Sequence, residues 1–395
     1  MNIQEKVFGQ LVLQLKKTLE KWLKKLTKNF GSIANELAAP QDDVIKFRSP
    51  SLNWSVSNGG ITEGKAVCFY GPESAGKSML AQQLLIEIQK KNPEAIVIWF
   101  DAEYSFNKDW FAKMGGDVNR CIVRQTNDPE KIFDFIYGEM YEMLQDGAPI
   151  KGIAIDSIKS ICYPGDIKDK STKITMGGSG AKYLGSALKR ILPPIREFGV
   201  TTALIQQVYE EIDPMLAMAN PYKIPDGRAL KHFCDYMLEV TKIENKKSKV
   251  IDGKNIYGGD AQLGHKVRVK CKKNRTGAPA RVAEFTFSYE TGIINMHEEV
   301  FALAETLGIV YHPISETTGK PSMMFWQVDG FEKVKGKDNM IAMIRDNKDL
   351  YDSILAKCEG VDDSSFEPGK EIGIVNTDSV SIDLDSLDTD SLLNL

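Results

Sequence analysis

Residues Gly71-Pro72-Glu73-Ser74-Ala75-Gly76-Lys77-Ser78 decide how this chain is read. They fit the pattern of a glycine, four variable residues, then Gly-Lys-Ser/Thr. An apolar run, Lys65–Tyr70, precedes them, and a helical pattern follows from Gly76 to about Lys91. A strand, a glycine-bearing loop and a helix in that order wrap a polyphosphate. The glycines let backbone N–H groups face the anion, and the helix N-terminus adds a favourable dipole. Lys77 would reach the β and γ phosphates, and the Ser78 hydroxyl would ligate Mg²⁺.

Further continuous apolar runs flank this motif. Ala95–Phe100 (AIVIWF), Lys151–Asp156 (KGIAID) and Thr201–Gln207 (TTALIQQ) read as buried strands, with a helix near Ala181–Phe198. Apolar strands separated by helices predict an α/β fold with a mostly parallel central sheet covered on both faces. Tyr236–Thr241, His265–Lys272 and Arg281–Ser288 read as added, antiparallel strands. Asp156 ends its strand, where a carboxylate holds Mg²⁺ through water, or else caps the next turn. Glu103, just past the AIVIWFD run, is placed to polarise an attacking water, or is a surface glutamate at a strand end. Gln207 ends its strand either as a sensor of the γ phosphate or as a buried amide.

Composition agrees with a globular chain. Of 395 residues, 42% are hydrophobic and 26% charged, which excludes a fibrous or wholly disordered polymer. No uncharged apolar run approaches the ~18–20 residues needed to span a bilayer, so no membrane partner is expected. The six cysteines are widely spaced and contain no CxxC pair. That spacing fits a reduced, cytoplasmic setting better than a disulfide framework. Net charge is −4, which excludes an overall basic coat. From Val361 onward there are nine Asp and Glu against one Lys, net −8, leaving +4 for residues 1–360.

In chain order, GPESAGKS, FDAE at Phe100–Glu103, AIDS at Ala154–Ser157 and the strand ending Gln206-Gln207 together resemble a RecA-type recombinase. KNFGSI resembles that family's linker before the core, and Lys273-Asn274-Arg275 with Ala278-Pro279 its basic motif after it. Tyr209-Glu210 and the long acidic end are more similar to the phage UvsX branch. The resemblance implies an ATP- and Mg²⁺-dependent ATPase that forms helical filaments on single-stranded DNA and pairs that strand with homologous duplex. It also implies a single-strand binding protein and a loader as further partners. If the chain is phage-encoded, the setting is the host cytoplasm.

Residue by residue, the resemblance assigns the phosphate loop Gly71–Ser78, and Ser78 and Asp156 for Mg²⁺. It makes Glu103 the water activator and sets Trp110 against adenine, although a Trp in Asp109-Trp110-Phe111 also suits a core. Lys273 and Arg275 match cations that reach the γ phosphate of an adjacent subunit. Two loops, about Tyr163–Gly180 and Val208–Asp226, would face DNA. Lys173 in the first, Met218 and Gly227 in and after the second, and Lys182 and Lys189 on the helix between are the expected contacts. For the lysines, a solvated face is the alternative.

The implied organisation is an N-terminal helix and linker over residues 1–38, a RecA-like ATPase core over 39–298, a small C-terminal α/β domain over 299–360 and an acidic tail over 361–395. The N-terminal helix has Phe8, Leu11, Leu15, Leu19, Trp22, Leu23 and Leu26 on one side and lysines elsewhere. It packs on its own domain, on a neighbouring subunit or on a membrane surface. Two other functional readings use the same motifs: a ring-shaped helicase or motor, and a nucleotide-gated scaffold with little hydrolysis.

Overall fold

The computed structural model describes residues 43–56, 59–162, 179–212, 222–225, 227–243, 249–254, 260–279, 281–315 and 319–360, with Lys21, Lys24, Lys25 and Met215 besides. Most of the expected N-terminal helix, Lys173, Met218 and the acidic tail lie outside the described residues. Contacts divide the chain into Met1–Val44 and Ile45–Leu395, and the second unit holds the site.

In chain order the elements of this unit are α1 (Pro50–Ser55), β1 (Ala66–Gly71), α2 (Lys77–Lys91), β2 (Ile96–Asp101), α3 (Lys108–Lys113), β3 (Cys121–Gln125), α4 (Pro129–Tyr137), α5 (Glu139–Gln145) and β4 (Ile150–Asp156). There follow α6 (Ser179–Glu197), β5 (Thr201–Gln207), α7 (Gly227–Phe233), β6 (Tyr236–Lys242), β7 (Lys249–Lys254), β8 (Asp260–Asn274), β9 (Val282–Ser288) and β10 (Gly292–Ile294). The strands form one ten-stranded sheet in the order β10-β9-β8-β6-β1-β5-β4-β2-β3, with β7 paired to β8.

From β3 to β6 the sheet is parallel. Its middle strands are apolar at nearly every position because both faces are covered. Along β1, Val67 and Phe69 pack with Met79, Leu80 and Leu84 of α2. The alternate residues Ala66, Cys68 and Tyr70 share the opposite core with Ile132 of α4, Leu188 of α6 and Leu230 of α7. The phosphate-loop strand therefore lies at the centre of a three-layer sandwich.

Two findings differ from the sequence reading. Tyr236–Lys242 is not wholly one of the antiparallel additions: it runs parallel to β1 and is antiparallel only to β8. The helix α7 carries the chain back between β5 and β6, as a parallel neighbour requires. The strand β3 has no counterpart among the sequence expectations. It lies at the sheet edge, and after buried Cys121 its residues are exposed or half-buried, so it carries no apolar run.

Beyond β10, α8 (Met296–Thr306), a small sheet of β11 (Val310–Tyr311), β12 (Phe325–Val328) and β13 (Val334–Lys335), α9 (Lys337–Asp346) and α10 (Lys348–Glu359) enclose a separate core. Val300, Phe301, Val328, Ile344 and Ile354 are at its centre. Glu299 on α8 reaches back to the start of α1, where its Oε1 accepts from the Ser49 hydroxyl and from Ser51 N at 2.7 Å. Among the described residues no helix is long and apolar enough to cross a membrane.

Candidate functional site

The loop Gly71–Ser78 leaves the C-terminal end of β1 and enters α2. Two of its glycines are there for different reasons. A Cβ on Gly71 would stand 1.9 Å from the Val240 carbonyl oxygen, so only glycine lets β6 lie that close. Gly76, at φ 99°, caps α2 in a left-handed conformation that favours glycine. Ser74 is also left-handed, at φ 57°. Such alternation turns successive N–H groups to one side and builds an anion cradle.

Lys77 is buried, and its Nζ donates to the Pro72 carbonyl at 2.6 Å, which holds the ammonium over the loop. Burial lowers its pKa, and the carboxylates of Asp156, Glu103 and Glu73 oppose that shift. Asp156 ends β4, next to β5, which in turn pairs with β1. Burial pushes its carboxyl up to about 7; the nearby Ser78 hydroxyl pulls the other way, and Glu103 and Asp101 push it up further. Two oxygen ligands, hydroxyl and carboxylate, thus meet at the foot of the cradle. This donor set fits a hard divalent cation that also binds phosphate oxygens.

Glu103 follows β2 and is fixed by its neighbours. Its Oε1 accepts from Ser157 Oγ, from Ser160 Oγ at 3.2 Å and from Gln207 Nε2 at 3.0 Å. The backbone N–H groups of Ala102 and Glu103 both donate to the Asp156 carbonyl, at 2.7 and 3.2 Å. The sequence reading passes over Asp101, which is fully buried. Its carboxylate accepts from Ser105 N and Phe106 N, each at 3.0 Å, and from Gln125 Nε2 at 3.2 Å. That bracing shapes the turn carrying Glu103. Lys77, Ser78, Glu103, Asp156 and Gln207 thus come together at one end of the sheet.

Trp110 makes the core contact that its sequence context allows and also borders open space. Its ring packs against Phe287 on β9, with centroids 6.0 Å apart and planes at 71°. It also lines a 550 Å³ cavity with Asn107, Lys113, Gln262 and Tyr289. Tyr289 does not stand out in the sequence, because it comes from a distant strand end and belongs to no local motif. Asn107 caps α3 through Asp109 N and Trp110 N, both at 3.0 Å, and this sets the direction of Trp110.

Lys273 and Arg275 stand at the far end of β8, against the C-terminal end of α7. Lys273 Nζ donates to the carbonyls of Lys231 and Cys234, the latter at 2.6 Å, and Arg275 donates to the His232 carbonyl. Both cations therefore cap a helix end, where positive charge is favoured. Burial, followed by the neighbouring Arg275, lowers the pKa of Lys273. Asp235 anchors this corner through Arg196 at 2.6 Å and Ala66 N at 2.9 Å.

Lys182 and Lys189 are exposed, two turns apart on α6, opposite the buried Leu184 and Leu188. Gly227 begins α7, and a Cβ there would meet Ile224 at 3.1 Å. Gln206 Nε2 donates to the Pro225 carbonyl at 2.9 Å, tying the end of the second loop to the strand that starts it. A further feature missed in the sequence is the alternation of Lys266, Arg268, Lys270 and Lys272 with buried residues along β8. The period-2 pattern puts the four cations on one face, with Arg268 paired to Glu284 at 2.6 Å and Lys272 to Glu239 at 3.3 Å.

This fold and cradle define a P-loop nucleotide-binding protein with a RecA-type α/β core. Residues 17–294 match the family model described as RecA N-terminal domain, and the chain belongs to the RecA family. The protein named Protein RecA of Kineococcus radiotolerans is 29% identical over 343 residues, covering 86% of this chain and 90% of that one. Its namesake of Wolinella succinogenes is 27% identical over 361 residues, covering 89% and 93%. That of Mycoplasmopsis pulmonis is 27% identical over 351 residues, covering 87% and 92%. Membership makes the chain a DNA recombinase with DNA-dependent ATPase activity, which binds DNA and forms filaments.

Proposed function

We propose that the chain polymerises head-to-tail on single-stranded DNA with ATP and Mg²⁺ bound between subunits, pairs that strand with homologous duplex and exchanges strands. The observation that carries this is the meeting of the phosphate loop, Asp156, Glu103 and Gln207 at the strand ends from which both DNA-facing loops depart. ATP is bound by the loop N–H groups and Lys77, and its base lies against Trp110 and Tyr289. Ser78 and Asp156 hold Mg²⁺, which neutralises charge on the phosphates. Glu103 orients and deprotonates the attacking water, and Gln207 links that carboxylate to the loop beginning at Val208. Lys273 and Arg275 answer the terminal phosphate held by a neighbouring copy.

The other assignments rest on charge and position. Lys173, Lys182 and Lys189 contact phosphates, while Met218 and Gly227 approach the bases or backbone. The four-cation row on β8 suits the incoming duplex. Residues 1–38 serve as the subunit-packing arm, with 39–298 the core, 299–360 a small domain and 361–395 an acidic tail that meets basic surfaces. The chain falls on the phage UvsX-like branch and works in the cytoplasm, alongside a single-strand binding protein and a loader. The relatives named RecA do not favour a ring motor or a scaffold. Electron microscopy with single-stranded DNA and a non-hydrolysable ATP analogue is the test: helical filaments are expected, and closed rings or monomers would refute the reading.

A further inference from the structure

We propose that His265 and Gln262 are positioning residues that commit the Tyr289 hydroxyl as a hydrogen-bond donor to the nucleoside, so that the cavity selects triphosphates with an acceptor at that point. This rests on the reading that the base lies against Trp110 and Tyr289. His265 is a buried titratable group on β8 with no part in the chemistry assigned so far. It is opposite Phe287 in the β8–β9 pairing, and Tyr289, next after β9, donates its N–H to the Leu263 carbonyl at 2.8 Å. The His265 ring stands 5.4 Å from that of Phe287 and 5.5 Å from that of Tyr289. Two nitrogens converge on the phenol oxygen: His265 Nδ1 at 3.1 Å and Gln262 Nε2 at 3.2 Å.

Counting protons fixes the direction of each bond. Gln262 Nε2 also donates to the Gly264 carbonyl at 3.1 Å. A reversed amide would set oxygen against that carbonyl, so Gln262 gives a proton to Tyr289. The tautomer of His265 follows from its other nitrogen. Nε2 is buried and has no hydrogen-bond partner among the described residues. An N–H stranded there costs more than a stranded lone pair. The proton therefore sits on Nδ1 and is also given to the phenol oxygen. Burial, with Lys242 adding to it, pulls the His265 pKa down to about 4, so the ring is neutral at neutral pH. A phenol oxygen accepts two hydrogen bonds and donates one. With both accepting positions filled, Tyr289 can only donate, and its exposed ring borders the cavity shared with Trp110. A ring nitrogen or a ribose oxygen answers that proton; a C–H in the same place does not.

The test measures equilibrium binding to the full chain of ATP and of analogues that each lack one acceptor: the deaza-ATPs altered at a single ring nitrogen, and 2′- and 3′-deoxy-ATP. At least one analogue should bind about fivefold more weakly than ATP, the loss of one neutral hydrogen bond. Tyr289→Phe should weaken ATP by about that factor and bind ATP and that analogue equally. If no analogue loses its deficit in Tyr289→Phe, the proposal is overturned. The tautomer is read independently of any nucleotide from the nitrogen NMR shifts of isotope-labelled histidine, with His265→Gln assigning the signal. A proton on Nδ1 is expected, and a proton on Nε2 would overturn the proposal. Trp110→Ala keeps the two readings apart. If it binds ATP as tightly as wild type, the base lies elsewhere and both readings fall. If it binds ATP weakly while Tyr289→Phe does not, the placement of the base stands and the committed donor falls.

Discussion

The carboxylate of Asp156, at the end of β4, feels the Ser78 hydroxyl in the first turn of α2, which lowers its pKa against the upward push of burial. The two groups assigned to the cation are thus already in register. Asp156→Asn keeps the shape and removes the charge. It should raise the Mg²⁺ concentration for half-maximal ATP turnover by at least about tenfold, since a hard cation loses its anionic oxygen. A Mg²⁺ titration of the variant reads this directly.

Glu103→Gln preserves an acceptor for Ser157 and Ser160 but cannot take a proton. ATP turnover should drop about 100-fold with nucleotide affinity little changed. Steady-state turnover beside equilibrium binding of a fluorescent analogue checks both halves of that statement.

Trp110 faces the cavity shared with Tyr289. Trp110→Ala should weaken ATP about tenfold through lost stacking and leave turnover at saturation intact. An unchanged KM would remove the base from this cavity.

Lys182→Glu and Lys189→Glu should each weaken single-stranded DNA binding irrespective of base sequence. Each should also lower the slope of log affinity against log salt by about one. Equal slopes for variant and wild type would return these lysines to a merely solvated face.

Glu299 supplies a prediction about pH. Burial pushes its carboxyl up to about 7, against the pull of the Ser49 and Ser51 hydrogen bonds. Its folded pKa is above the ordinary 4.5, so between those values the folded chain binds the extra proton. Its contribution to stability is therefore lost as pH climbs from about 4.5 to 7 and is constant above. Glu299→Gln cannot ionise, so its melting temperature relative to wild type should rise between about pH 5 and pH 8. The difference is bounded by about 3 kcal/mol, from the size of the shift. Parallel melts at the two pH values decide it.

The parts of the site visible in the sequence are those where chemistry sits at the end of a continuous apolar run. Lys77, Ser78, Asp156, Glu103 and Gln207 each abut such a run or lie in the loop after it, and strand direction brings those ends together. Other features depend on pairing between distant segments. Tyr289 lines the same cavity as Trp110 only because the end of β9 lies beside α3. The edge strand β3 has no apolar run because solvent reaches most of it. The expected antiparallel pairing of Tyr236–Thr241 holds only toward β8, for a related reason: the path of α7 sets its parallel direction against β1.

The seven-residue helix α7 is about 10 Å long, at 1.5 Å per residue. Gly227, the residue next to the second loop, is at one end, and Lys273 and Arg275 grip the carbonyls at the other. Any anion that draws those cations off loads the helix along its axis like a pushrod. A one-nanometre strut is too short to bend, so a displacement at its cation-held end would reach Gly227 almost undiminished.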